Sequence, residues 1–388
     1  MIYADNAATT KMSEHALQVY TEAAQSQWGN PSSLHTTGQN ARVALDGARA
    51  KMAALLHCQP GEVYFTSGGS ESDNQAIRTA VMRGLQKGKT HVVTSQFEHH
   101  AILHTLEQLQ KEHGITVTLV DVHEDGLVRP EEVRDAITPE TALVSIMYAN
   151  NEIGTIQPIH EIGQICREKK VLFHTDAVQA AGILPIDFAG DDIDMLSLSA
   201  HKFHGPKGVG ALLVRRGVIP YTLICGGAQE RGKRAGTENL PGILSMVAAL
   251  EDAVNSREAN TTHMTALRDK LITGLSAIPE SYLNGDAIHR LPGNVNFCFA
   301  GIEGESLLLL LDANGIAASS GSACTSGSLD PSHVLLAIGR PHEIAHGSLR
   351  LSLSAENTDA DVDTILEVVP QVVEYLRSIS PVWKAAHQ

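Results

Sequence analysis

Cysteine, positive charge and long apolar runs are all scarce in this 388-residue chain, and each shortage closes off a class of function. The five cysteines, at 58, 166, 225, 298 and 324, are odd in number and include no Cys-x-x-Cys pair. That fits neither a disulfide framework nor a cysteine-rich zinc site, so reduced thiols in a reducing compartment are expected. Lys plus Arg number 29 against 44 Asp plus Glu, a formal charge of -15. The sign is wrong for a protein that lies along a phosphodiester backbone, and no direct nucleic-acid partner is expected. The longest aliphatic stretches, such as 307–311, fall far short of the roughly 18 to 20 apolar residues of a membrane span. The opening MIYADNAATT carries Asp5 and lacks the basic and apolar regions of a secretory signal. A cytoplasmic chain with no membrane contact is the expectation.

What is present is a globular composition, 43% hydrophobic and 19% charged, long enough for one large domain and a smaller one. Short runs rich in β-branched residues at 63–66, 91–94, 117–120, 142–148, 171–175, 194–197 and 209–214 read as strands. Helical periodicity falls between them, at 39–57, 72–87, 101–113 and 160–169. That alternation predicts an α/β fold with a mostly parallel sheet covered on both faces. Beyond about residue 255 the rhythm changes to long helical stretches at 257–277 and 359–379 around short strands at 294–299 and 316–319. The expected division is a large domain over 13–255 and a smaller α+β domain over 1–12 and 256–388. No repeat, low-complexity tract or Pro/Ser linker marks the boundary.

Three segments could carry chemistry together. FTSGGSESDN, residues 65–74, runs from a strand through a Gly-Gly turn into a helix start, where free N–H groups can hold a phosphate. Alone it reads equally well as an ordinary capped helix. A P-loop is rejected: Gly88-Lys89-Thr90 would need glycine at position 83, which is Arg83. HTDAVQ, residues 174–179, places Asp176 at the carboxyl end of a buried strand, where open parallel sheets bind ligands. On its own this acid could simply cap the turn that follows. SLSAHKFHGPKG, residues 197–208, puts Lys202 after another strand; a lysine deep in a site can act as a nucleophile in imine chemistry, though a lone one is more often a solvated charge. An anion-binding helix start, a strand-end acid and a strand-end lysine are the parts needed to hold pyridoxal 5′-phosphate.

These segments, together with residues 98–101, 226–239, 319–329 and 347–350, DNAATT at 5–10 and GNPSS at 29–33, resemble the NifS-like cysteine desulfurases (the IscS/NifS group) of the class V aminotransferase family. The match runs in order over nearly the whole chain. Departures are small: Ser70 stands where relatives often have threonine, and Ala228 interrupts a glycine triplet. The resemblance implies the fold type I architecture of the aminotransferases, with pyridoxal phosphate held covalently by Lys202, which also moves the substrate's Cα proton. It implies that Asp176 pairs with the pyridinium, Gln179 with the ring hydroxyl, and that His99 stacks on the ring and is a candidate proton shuttle. Gly69, Ser70, Ser199 and His201 would bind the phosphate, and Thr237 would reach the phosphate of a second subunit in a homodimer. Asn151 would lie near the ring oxygen and the substrate, and Arg350 would clamp the carboxylate of L-cysteine.

Cys324 decides the reaction that the resemblance implies. It lies among small residues in SSGSACTSGS, whereas the bland reading of a buried thiol suits Cys58, Cys166, Cys225 and Cys298 better. Its thiolate would take the substrate sulfur as a persulfide, leave L-alanine, and pass the sulfur to an acceptor or iron-sulfur scaffold protein. No resident metal is expected, only a transient iron-sulfur contact through Cys324. Two rivals stay open at this point: a lyase or aminotransferase of the same family that does not need Cys324, and a non-catalytic sulfur- or metal-binding scaffold.

Overall fold

The computed structural model describes residues 1–320 and 331–387. Its larger sheet has seven strands, in the order Val63–Thr66, Gly210–Val214, Met195–Ser199, Leu172–Asp176, Thr141–Ser145, His91–Ser95 and Thr116–Val120. All pairings are parallel except those of Gly210–Val214, which runs antiparallel to both neighbours. The mostly parallel α/β expectation therefore stands, with one reversed strand. Alternate residues face opposite layers, as a period of two requires. Phe65, Val93, Val144, Phe173 and Leu196 join one core, and Tyr64, Val92, Leu143 and Met195 the other. The edge strand Thr116–Val120 departs from this, with three of its five positions exposed.

The strand expected over 142–148 ends at Ser145, yet its line continues: Ile146 N donates to His174 O at 3.1 Å and Tyr148 N to Asp176 O at 2.8 Å. These bonds hold the carboxyl ends of two adjacent strands together, where the parallel sheet gathers its chemistry. The helical stretch expected from 257 is the second half of one continuous helix, Leu240–Leu275, which passes through residue 255 unbroken. It contacts Glu14–Ser26, Thr36–Leu55 and Asp359–Ile379.

A second sheet, Ser348–Ser352, Asn294–Phe299 and Ser281–Leu283, is antiparallel and has its own apolar cluster around Phe297, Phe299 and Leu351. The N-terminal strand Ile2–Tyr3 pairs in parallel with Ile316–Ala317, and Asp5 bridges to Ser352. Residues 1–5 thus lie beside the second sheet, and residues 6–10 lead from it toward the ends of the larger one, where Thr10 N donates to His201 O at 2.9 Å.

Phe173 is fully buried three residues before Asp176. Phe173→Ala is expected to lower the unfolding free energy by about 3–5 kcal/mol, read as a lower urea midpoint at unchanged slope.

Candidate active site

The carboxyl ends of the central strands open on a cavity of about 380 Å³ lined by Gly69, Ser70, His99, Asn151, Asp176, Gln179, Ser199, His201, Lys202 and Arg350, with Ala7, Ala8, Asp73, Met147 and Val178. The structure therefore brings together every site residue expected from the sequence except two. Thr237 is exposed and lies outside the cavity of its own chain. Cys324 lies outside the described residues.

Gly68 precedes the helix Gly69–Leu85 with φ 154° and ψ -178°, a backbone region open essentially to glycine alone. It offers no side-chain cap, so the first N–H groups of a 17-residue helix face the cavity without an internal acceptor. A Cβ on Gly69 would meet Val178 Cγ2 at 2.7 Å, so the cradle closes to larger residues. The start is braced on its outer side, where Glu71 accepts from Arg234 at 2.9 and 3.2 Å and from Ser67 N at 2.9 Å.

Asp176 ends its strand almost buried, and its Oδ1 accepts from Val178 N at 2.9 Å. Burial raises this carboxyl above its ordinary range, against the pull of the Val178 N–H and the Lys202 charge. Lys202 donates to the carbonyls of Ala7 at 2.5 Å and Ala8 at 2.8 Å, so its Nζ is held against the N-terminal segment. Gln179 Nε2 shares the Ala7 carbonyl at 3.0 Å.

His99 caps the helix His100–His113, accepting Ala101 N on Nδ1 at 3.1 Å. That bond leaves the ring proton on Nε2. Burial first, then the Lys202 charge, pulls its pKa down to about 4, so the imidazole is neutral at physiological pH. The same two causes pull His201 down to about 4. Arg350 is almost buried; its Nη2 pairs with Asp5 at 2.9 Å, its Nη1 donates to Asn151 O at 3.1 Å, and its buried Nε has no partner.

An uncapped helix start, a strand-end carboxyl and a lysine converging on one cavity match the donor set that pyridoxal phosphate needs, and the glycine cradle leaves room for its phosphate. The Aminotransferase class-V family model matches residues 2–365. The chain belongs to the class V aminotransferases. Among similar proteins, a cysteine desulfurase IscS of Methanosarcina thermophila is 53% identical over 380 residues, spanning 98% of this chain and 94% of the relative. A cysteine desulfurase IscS of Clostridium botulinum is 52% identical over 390 residues, spanning 99% and 97%. A solved NifS-like protein superposes with a TM-score of 0.90 at 38% identity, covering 97% of this chain and all of its own.

Some residues of this class V aminotransferase site escape sequence reasoning. Asp73 is buried beside Asp176; burial and the neighbouring carboxylate raise its pKa well above normal, and its Oδ1 has no hydrogen-bond partner. Behind both acids His174 bridges Ser145 at 2.9 Å and Ser197 at 3.0 Å, and burial holds it neutral, with a pKa of about 3. Glu98 and Glu152 are also buried; the only sequence signal for them was their place next to His99 and Asn151. Of the thiols expected to be buried, Cys166 and Cys298 are and Cys58 is partly so, but Cys225 is exposed, because it sits in a surface loop before Gly226. Among the described residues no cysteine lines the cavity.

Burial raises Glu98 to about 8 and Glu152 to about 7, against the hydrogen bonds from Ser95 and Met147 N to the first and from Ser332 to the second. Both bind their protons more tightly folded than unfolded, where a glutamate titrates near about 4.3. Stability therefore falls as pH rises through this range. The buried histidines act in the opposite sense, but only below their unfolded value of about 6.5. The melting temperature is expected to drop between about pH 6.5 and about pH 8, and Glu98→Gln to shrink that drop. Scanning calorimetry on both proteins checks this, and equal drops would refute the assignment to Glu98.

Proposed function

We infer that the protein removes sulfur from L-cysteine with pyridoxal phosphate as its resident cofactor, giving L-alanine and a persulfide on Cys324. The relatives named cysteine desulfurase support the reaction, since they match this chain along nearly its whole length. The observation that carries it is the convergence of Lys202, Asp176, Arg350 and the uncapped helix start on one cavity.

Each residue has a task its surroundings suit. Gly69, Ser70, Ser199 and His201 hold the phosphate at the start of the helix Gly69–Leu85. Asp176 would keep the ring nitrogen protonated, Gln179 would meet the ring hydroxyl, and His99 would cover the ring with a neutral imidazole. When bound, the cofactor supplies an electron sink for charge that develops at the substrate's Cα. Arg350 takes the substrate carboxylate with its guanidinium, a planar fork suited to that anion. Asn151, whose carbonyl already orients Arg350, stands beside it. Lys202, as a neutral amine, removes the Cα proton, and the backbone carbonyls of Ala7 and Ala8 receive the ammonium it becomes.

The Cys324 thiolate attacks the substrate sulfur. The S–S bond forms as the C–S bond breaks, the bond's electron pair stays with the carbon skeleton, and protonation there yields alanine. L-Cysteine plus the enzyme thiol thus balance alanine plus the persulfide. A free thiol titrates at about 8.5, so the attack gains from proton removal; His99, with Nδ1 taken by Ala101 N and the proton on Nε2, can donate there but not accept. The persulfide then goes to a sulfur acceptor or iron-sulfur scaffold protein. We place the enzyme in the cytoplasm as a homodimer in which Thr237 of one chain reaches the phosphate of the other. Among the described residues no helix is long and apolar enough to cross a membrane.

Alanine formation from L-cysteine with a reductant present separates the alternatives, once variants are matched for bound pyridoxal phosphate. Cys324→Ala is expected to form no persulfide and to lose alanine formation by on the order of 10³-fold or more, and Lys202→Ala to lose it equally. Undiminished alanine from Cys324→Ala would reduce the reading to a lyase or aminotransferase that needs no thiol.

A further inference from the structure

The segment 226–239, which carries Thr237, has an unusual backbone. Glu230 (φ 46°, ψ 44°) and Arg231 (φ 58°, ψ 33°) are consecutive non-glycine residues in the left-handed region, which costs an L side chain steric strain and is visited mostly by single residues. Such a conformation persists only where surrounding contacts over-determine it. Here they do. Glu230 is 5% exposed and Arg49, on the helix Thr36–Leu55, 8%. The two form a bidentate pair at 2.6 and 2.8 Å, and Glu230 also accepts Phe65 N at 3.1 Å. Arg231 donates to Val63 O at 2.7 Å with its guanidinium 4.0 Å from the centre of the Tyr64 ring.

Further clamps follow along the chain. Gln75 Nε2 donates to Lys233 O at 3.0 Å, and Arg234 pairs with Glu71. On the far side Asn239 caps the helix Leu240–Leu275 by accepting Gly242 N at 3.2 Å. Thr237 is thus an exposed residue on a short span held at both ends. Burying an ion pair is a poor way to gain stability, because desolvation offsets much of the attraction, and well-packed apolar residues often do as well. A buried bidentate pair does fix geometry, since both planar groups must align.

We propose that Arg49 and Glu230 are positioning residues that act in trans. By locking the left-handed pair 230–231 they set the direction in which the segment leaves its own chain, and so present Thr237 to the phosphate site of a second copy. This rests on the reading that a second copy completes the site. The competing role is local: through Phe65 N and Val63 O the same contacts could support only the strand that leads to their own chain's Gly68–Gly69 turn.

Hybrid dimers of two differently tagged full-length chains separate the two roles. In each hybrid one chain carries Lys202→Ala, so only the other holds pyridoxal phosphate covalently. The readout is release of the cofactor from the holoenzyme into a scavenger, followed by loss of its visible absorbance. With Glu230→Gln on the Lys202→Ala chain, release from the intact site is expected to quicken by about tenfold or more, the effect of losing one hydrogen bond to a charged group. With Glu230→Gln on the Lys202-bearing chain, release is expected to match the hybrid that has native Glu230 in both chains. The reverse pattern, or equal effects in both placements, would overturn the proposal.

Thr237→Val in the same two placements tests the underlying reading. If it acts in trans while Glu230→Gln acts in cis, the shared site stands and the positioning role falls. If it has no effect in trans, both fall. Should Glu230→Gln not fold, the double change Arg49→Leu with Glu230→Met leaves no unpaired buried charge and is read on the same plan.

Discussion

Keeping a carboxylate charged at the buried end of a β-strand is the constraint around which this cavity is organised. Asp176 is 6% exposed, and an acid removed from water gives up its charge unless something nearby favours it. Two features do, the Val178 N–H and the Lys202 ammonium, while burial works against them. Asp73 and Glu98 beside it are raised by the same burial and by their nearness to Asp176, so the local negative charge is concentrated on the one acid that has a fixed donor and a cation. In the proposed reading this is the acid that would meet the ring nitrogen of pyridoxal phosphate.

The histidines serve the same end by staying neutral. His99, His174 and His201 are all depressed by burial, and His99 and His201 further by Lys202. Had they been cationic, they would have competed with the lysine for Asp176 and repelled it from the Ala7 and Ala8 carbonyls. Each instead is orientated by a neutral hydrogen bond: His99 from Ala101 N, His201 with Thr9 Oγ1 at 3.1 Å, and His174 with the two serines. Rings fixed in this way are the kind of preorganised polar surface that keeps its orientation while charge moves past it.

Much of this was legible from the sequence because the informative residues sit at strand ends. The β-branched runs located most of the sheet, and Asp176 and Lys202 then fell at the carboxyl edge by position, whereas Ser199 was named only through the family resemblance. What could not be read was closeness across the chain. Lys202 meets Ala7 across 195 positions, and no periodicity predicts that two backbone carbonyls of an N-terminal segment receive its amine. Likewise Glu98 and Glu152 look like ordinary charged residues beside their motifs, and only the packing of several layers shows that both are buried. Cys225 shows the opposite failure: its exposure depends on where a glycine-rich loop emerges. The reversed strand Gly210–Val214 was hidden for a related reason, since a fully buried strand has the same composition in either direction.

Arg350 joins the two sheets into one site. It belongs to the antiparallel strand Ser348–Ser352, yet it reaches the cavity at the ends of the parallel strands, where its Nη1 meets Asn151 O. Its ion pair with Asp5 does two things. It leaves the guanidinium aligned with one edge donor, Nε, unused, and it ties that alignment to the N-terminal segment whose next residues hold Lys202. The clamp and the lysine are coupled through residues 5 to 8, and a shift of that segment would disturb both together.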